Sequence, residues 1–105
     1  MRTRAIYKIL ALLLKYAGNS EFDTAMISAE RMKLSYDEWQ YIIVLLAKNG
    51  YVDGVVYTQS LNDRWPVLVD AGRIGITLKG IEYVEMNSAM KKIGAALKSA
   101  GELFI

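Results

Sequence analysis

Asp, Glu, Lys and Tyr are the main chemically capable side chains in this sequence, because it contains neither histidine nor cysteine. Without His there is no ready general base near neutral pH, no Ser-His or Cys-His nucleophile, and the commonest metal ligand is missing. Without Cys, disulfides and thiolate zinc sites are excluded. The acids form no pair in a recognisable motif. Gly72 and Gly75 lack the rest of a phosphate-cradling or dinucleotide-binding pattern. These absences point away from an enzyme and away from any metal or small-molecule cofactor. The chemistry that is left is recognition of a macromolecule.

Two sets of residues are candidates for it. For double-stranded DNA they are Gln40, Tyr41 and Lys48, which can meet base edges or phosphates, with Arg64, Arg73, Arg31 and Lys33. For a protein partner they are Asp37, Tyr41, Val44 and Leu45, with Met90, Ile93, Leu97 and Phe104 as a second face nearer the C-terminus. Overall charge does not choose between them, because the net value is only +2. Residues 1–20 carry Arg2, Arg4, Lys8 and Lys15 with no acid. Residues 21–50 carry Glu21, Asp23, Glu30, Asp37 and Glu38 against Arg31, Lys33 and Lys48. A basic N-terminus can meet phosphate, although a solvated helix face is the commoner explanation.

The elements that must position these residues follow from periodicity and caps. The 105 residues are 53% hydrophobic and contain no linker, which suits one domain with a real core. Ile6, Ile9, Leu10, Leu13, Leu14 and Ala17 recur at helical spacing and predict a first helix over 3–17, ended by Gly18-Asn19. Leu12 and Tyr16 widen its apolar face. The apolar run loosely mimics a signal peptide, but Lys8 interrupts it and Lys15 closes it. The six residues between Ile9 and Leu14 fall far short of the roughly 20 that span a bilayer, and no small-residue cleavage site follows. A buried helix in a cytoplasmic protein, with no membrane contact, is expected.

Asp23 or Thr24 caps a short second helix over 24–32 that buries Met26, Ile27 and Met32. Ser35-Tyr-Asp-Glu38 reads as a capping box, opening a third helix that runs from Tyr36 to Asn49. Tyr51 to Thr58 is rich in β-branched and aromatic residues and predicts a strand. A loose turn over 59–66 and strand-like pieces at 67–69 and 73–76 complete a hairpin. Thr77 caps a fourth helix over 78–87. Ser88 caps a fifth, to about residue 100, with Met90, Ile93, Leu97 and Ala100 as its stripe. The fold class is therefore mainly α with a small β-hairpin: a winged helix-turn-helix with an additional C-terminal helix. One domain spans 1–105, with its core over 3–87 and the last helix over 88–101.

Thr77, Lys79, Gly80 and Tyr83, then Asn87, Ser88, Met90 and Lys91, together with Gly50-Tyr-Val-Asp-Gly54, carry a resemblance. The sequence resembles the YjcQ-like family of small winged-helix proteins, found in Gram-positive bacteria and their phages. The likeness extends over nearly the whole chain and is weakest at 61–66. It implies the winged-helix fold. No activity is established for the family, so the likeness implies no catalytic or binding residues.

A winged helix implies DNA binding, with the third helix in the major groove and the hairpin tip on the backbone or minor groove. On helical geometry Trp39, Ile42, Ile43 and Leu46 face the core, leaving Asp37, Tyr41, Val44, Lys48 and in part Gln40 and Leu45 outward. Gln40 and Lys48 suit DNA. Asp37 opposes phosphate, and exposed Val44 and Leu45 suit a protein contact. Arg64 can reach a minor groove; alternatively Trp65 folds back on the ribbon and Asp63 offsets Arg64. The leading expectation is a small DNA-binding regulator of bacterial or phage origin, and the second is a winged helix used for protein interaction or assembly. The slim fifth helix, with Gly94, Ala95 and Ala96, is expected to pack on the first, within one chain or across a homodimer. A positive strip on the third helix favours DNA, and an apolar patch edged by acids favours protein.

Overall fold

The computed structural model describes residues 2–99, with side chains from 4 to 88. Helix α1 spans Arg2–Lys15. Ala5, Ile9, Leu10 and Leu13 are its buried stripe, while Ile6, Tyr7, Ala11, Leu12 and Leu14 are half-buried against the same core. The wide apolar face thus serves several neighbours: the second segment, the ribbon and the last helix all pack on α1.

The second helix of the sequence reading is not one α-helix. Thr24–Ile27 form a short 3-10 turn with Asp23 as its cap, its carboxylate accepting from the Ala25 amide at 3.0 Å. Ser28 then leaves helical geometry, and its hydroxyl accepts from the Arg31 amide at 3.2 Å. This side-chain bond offers the backbone an alternative to helix, which is why the segment breaks. A separate turn closes it, with the Leu34 amide donating to the Ala29 carbonyl while Lys33 takes a left-handed φ of 58°. Ile27 is buried, and Met32 is half-buried against the core.

Helix α2 spans Tyr36–Lys48. The Ser35 hydroxyl accepts from the Glu38 amide at 3.2 Å and donates to the Glu38 carboxylate at 3.1 Å. The box forms, although Glu38 returns to the Ser35 side chain and not to its backbone. Ile42, Ile43 and Leu46 enter the core. Trp39 Nε1 donates to the Ile27 carbonyl at 2.7 Å, which joins the 3-10 turn to α2.

The hairpin is an interrupted ribbon. Strand β1 (Val52–Asp53) pairs with β4 (Gly75–Ile76), and β2 (Val56–Thr58) pairs with β3 (Val67–Asp70), both antiparallel. The first strand breaks between Asp53 and Val56 because Gly54 has a φ of 73°. Tyr57 and Leu68 are paired and half-buried. Their neighbours Val56, Val67 and Val69, on the opposite face by strand alternation, are exposed.

Helix α3 runs unbroken over Leu78–Ser99, so the expected fourth and fifth helices are one. Asn87 does not punctuate it, because its amide donates to the Tyr83 carbonyl one turn back at 2.8 Å instead of competing for a new cap. Val84 is buried, and Tyr7 and Ser88 meet through their hydroxyls at 3.4 Å, so α3 lies on α1. Met90, Ile93 and Leu97 lie on α3 beyond the described side chains, and Phe104 lies outside the described residues. Among the described residues no helix is long and apolar enough to cross a membrane.

Candidate functional site

Thr77, Lys79, Gly80 and Tyr83 form a clamp between the end of α2 and the start of α3. The Thr77 hydroxyl donates to the Gly50 carbonyl at 2.6 Å and accepts from the Gly80 amide at 3.1 Å. Lys79 Nζ donates to the Asn49 carbonyl at 2.9 Å and lies 4.7 Å from the Tyr51 ring centre. A cation here satisfies the carbonyl end of α2, where the helix dipole is negative. Tyr83 packs edge-on to Tyr51 at 5.6 Å. These residues are committed to holding helices together.

The middle of the outward side of α2 is covered by the wing, while Asp37 and Lys48 towards its two ends stay exposed. β3 packs on α2, and the Leu68 amide donates to Gln40 Oε1 at 2.8 Å. One residue on, Tyr41 meets Trp65 edge-on, with ring centres 5.4 Å apart and planes at 86°. Pro66 is buried. Val44 lies on the same side of the helix one turn later. It is fully buried and yet outside the main core cluster.

Several expectations change accordingly. Val44 is not an outward contact residue, because the side it occupies is covered. Gln40 is half-buried, and its side-chain oxygen is engaged by the wing backbone. Leu45 turns to a different hollow, shared with Ile6, Asn49, Tyr51 and Tyr83. Trp65 folds onto α2, not onto the ribbon, and stays 57% exposed. The Arg64 guanidinium lies 5.4 Å from the Trp65 ring centre, while the Asp63 carboxylate accepts from the Ser60 amide at 3.1 Å and so closes the loop. Arg31, Lys33, Lys48, Arg64 and Arg73 are all exposed. They form no single strip along the ribbon: Arg64 is in the loop joining β2 to β3, whereas Arg73 stands just before β4, at the other end.

What the wing and α2 do build is a cleft of about 390 Å³ lined by Asp37, Glu38, Gln40, Tyr41, Trp65 and Pro66. The sequence offered Asp37, Gln40 and Tyr41 as contact residues and Glu38 only as a cap, and it did not reveal the pairing of Tyr41 with Trp65. The available signal was an aromatic-Pro pair in a turn, which gives no distance to a helix 24 positions away.

A chain whose first three helical segments are followed by an antiparallel ribbon and then a further helix is a winged helix-turn-helix protein. A model of the YjcQ protein family matches residues 7–103, and the chain belongs to that family. Among solved structures the chain is similar to a cysteine-to-serine mutant of Lactococcus lactis ZitR. The identity is 19% and the TM-score 0.53, and the match covers 97% of this chain and 62% of that one. At this identity the likeness speaks for the fold. A search of curated protein sequences finds no significant match.

Proposed function

We propose that this winged helix works as a protein-contact module and not as an enzyme, with the cleft between α2 and the wing as its contact surface. The observation that carries this reading is the covering of α2 by the wing. Gln40 is bonded to Leu68, Val44 is buried and Tyr41 is packed on Trp65, so the middle of the helix is not free to enter a major groove. What α2 presents at its N-terminal end is Asp37, with half-buried Glu38 beside it. Acids there offset the helix dipole but oppose phosphate, which dominates affinity for DNA.

DNA binding by a small regulator is the second reading. It is favoured by the exposure of Arg31, Lys33, Lys48 and Arg64 around the ends of α2 and the wing. Fluorescence anisotropy of a labelled random duplex separates the two. The protein-contact reading expects no saturable binding even at low salt. Binding that falls steeply as salt rises reports phosphate contacts and puts the DNA reading in its place.

A homodimer is part of the same proposal. Leu78 and Met86 are 72% and 70% exposed, and they lie eight residues apart on one side of α3. Apolar side chains at this spacing share a helix face and gain from being covered. Light scattering of the full chain is expected to give twice the chain mass. A single-chain mass at every concentration removes the dimer.

A further inference from the structure

Two carboxylates, an indole and a phenol meet in the cleft between α2 and the wing. We propose that it receives an arginine side chain presented by a partner polypeptide. This rests on the protein-contact reading and gives it a chemistry.

The cleft is built and held. Tyr41 and Trp65 fix each other by their edge-on contact, Pro66 is buried behind them, and the Gln40 bond to Leu68 ties helix to wing. Glu38 is held by the Ser35 hydroxyl. Asp37 is exposed and has no hydrogen-bond or ion-pair partner among the described residues. The occupant therefore meets a free carboxylate, a second one already oriented, and a largely exposed indole. A phosphate or an acidic side chain is repelled by both acids. An aliphatic side chain strips water from Asp37 and returns no hydrogen bond. A guanidinium satisfies every wall: it is planar and weakly hydrated, stacks on aromatic rings and bonds carboxylates in bidentate fashion. The Arg64 guanidinium lies 5.4 Å from the Trp65 ring centre, a like charge that the two carboxylates offset.

The two tryptophans provide the test. Nitrogen-proton NMR of the full chain resolves two indole N–H signals, assigned with Trp65→Phe. The chain is titrated with acetyl-Gly-Arg-Gly-amide, with the same peptide carrying uncharged citrulline, and with acetyl-Gly-Glu-Gly-amide. The Trp65 signal is expected to move saturably with the arginine peptide. The Trp39 signal, locked on the Ile27 carbonyl, should stay still. Citrulline should bind about tenfold more weakly, the loss expected when a charge-assisted bond goes. Asp37→Asn and Glu38→Gln should each weaken arginine binding, measured well below the melting temperature, which removal of a first-turn acid lowers only slightly. An unmoved Trp65 signal at about 10 mM arginine peptide, well above a millimolar Kd, overturns the proposal. Equal binding of citrulline, or binding of the glutamate peptide, overturns it too. If the arginine peptide fails and DNA also fails to bind, the chemistry is refuted while the protein-contact reading stands. Salt-sensitive DNA binding overturns that reading itself.

Discussion

Gly80→Ala is expected to lower the melting temperature by roughly 10 °C, because the first turn of α3 is pressed against the segment after α2. A Cβ at this position would run into the Tyr51 carbonyl oxygen and would stand 2.6 Å from the Ile76 Cγ1. The Ile76 side chain can shift a little, but the Tyr51 carbonyl cannot, since it accepts from the Thr77 amide at 3.1 Å just before α3. Alanine adds up to about 1 kcal/mol of helix propensity. Overpacking of this kind costs about 1–3 kcal/mol, occasionally more, and contact with fixed backbone puts this site at the upper end. A net loss of about 2 kcal/mol corresponds to the stated shift for a chain of this size. Thermal unfolding followed by circular dichroism measures it. An unchanged or raised melting temperature means that α3 does not sit this close to Tyr51.

Gly54→Ala is expected to be worse, costing about 3 kcal/mol and lowering the urea midpoint to match. Two costs add. The residue has a φ of 73°, where an L side chain loses roughly 1–2 kcal/mol, and its Cβ would run into the backbone carbonyl of Arg73 across the ribbon. The ribbon can accommodate alanine only by moving the Gly54 backbone away from Arg73. Gly18→Ala is the control, since Gly18 has a φ of 77° with nothing within 4 Å of an added Cβ. It should lose only the conformational part. If the two variants lose equal stability, the close approach of Arg73 contributes nothing and the ribbon is looser there than described.

Both predictions concern residues of the segments that carried the family resemblance, and both are structural. The motif at 77–83 clamps the end of α2 to the start of α3. The candidate site lies elsewhere, at Asp37, Tyr41 and Trp65. Position 65 falls in the stretch where the resemblance is weakest.

Local chemistry decided much in advance. The Ser35–Glu38 box starts α2, the α1 stripe of Ile9, Leu10 and Leu13 marks the core, and the change of period after Gly50 announces the ribbon, each because the signal spans only a few residues. The absence of His and Cys set the reach of the chemistry without any coordinates. Local signals failed where two were in competition. Ser28 broke the second helix by bonding its own neighbourhood, and Asn87 let α3 continue by bonding backwards. What only the tertiary structure decided is which side of α2 stays open. Helical spacing shows that Gln40 and Tyr41 point away from the core, but it says nothing of a ribbon returning to cover them. That depended on Leu68 and Trp65, 28 and 24 residues away from their partners on α2, where closure of the hairpin and not local preference sets the contact.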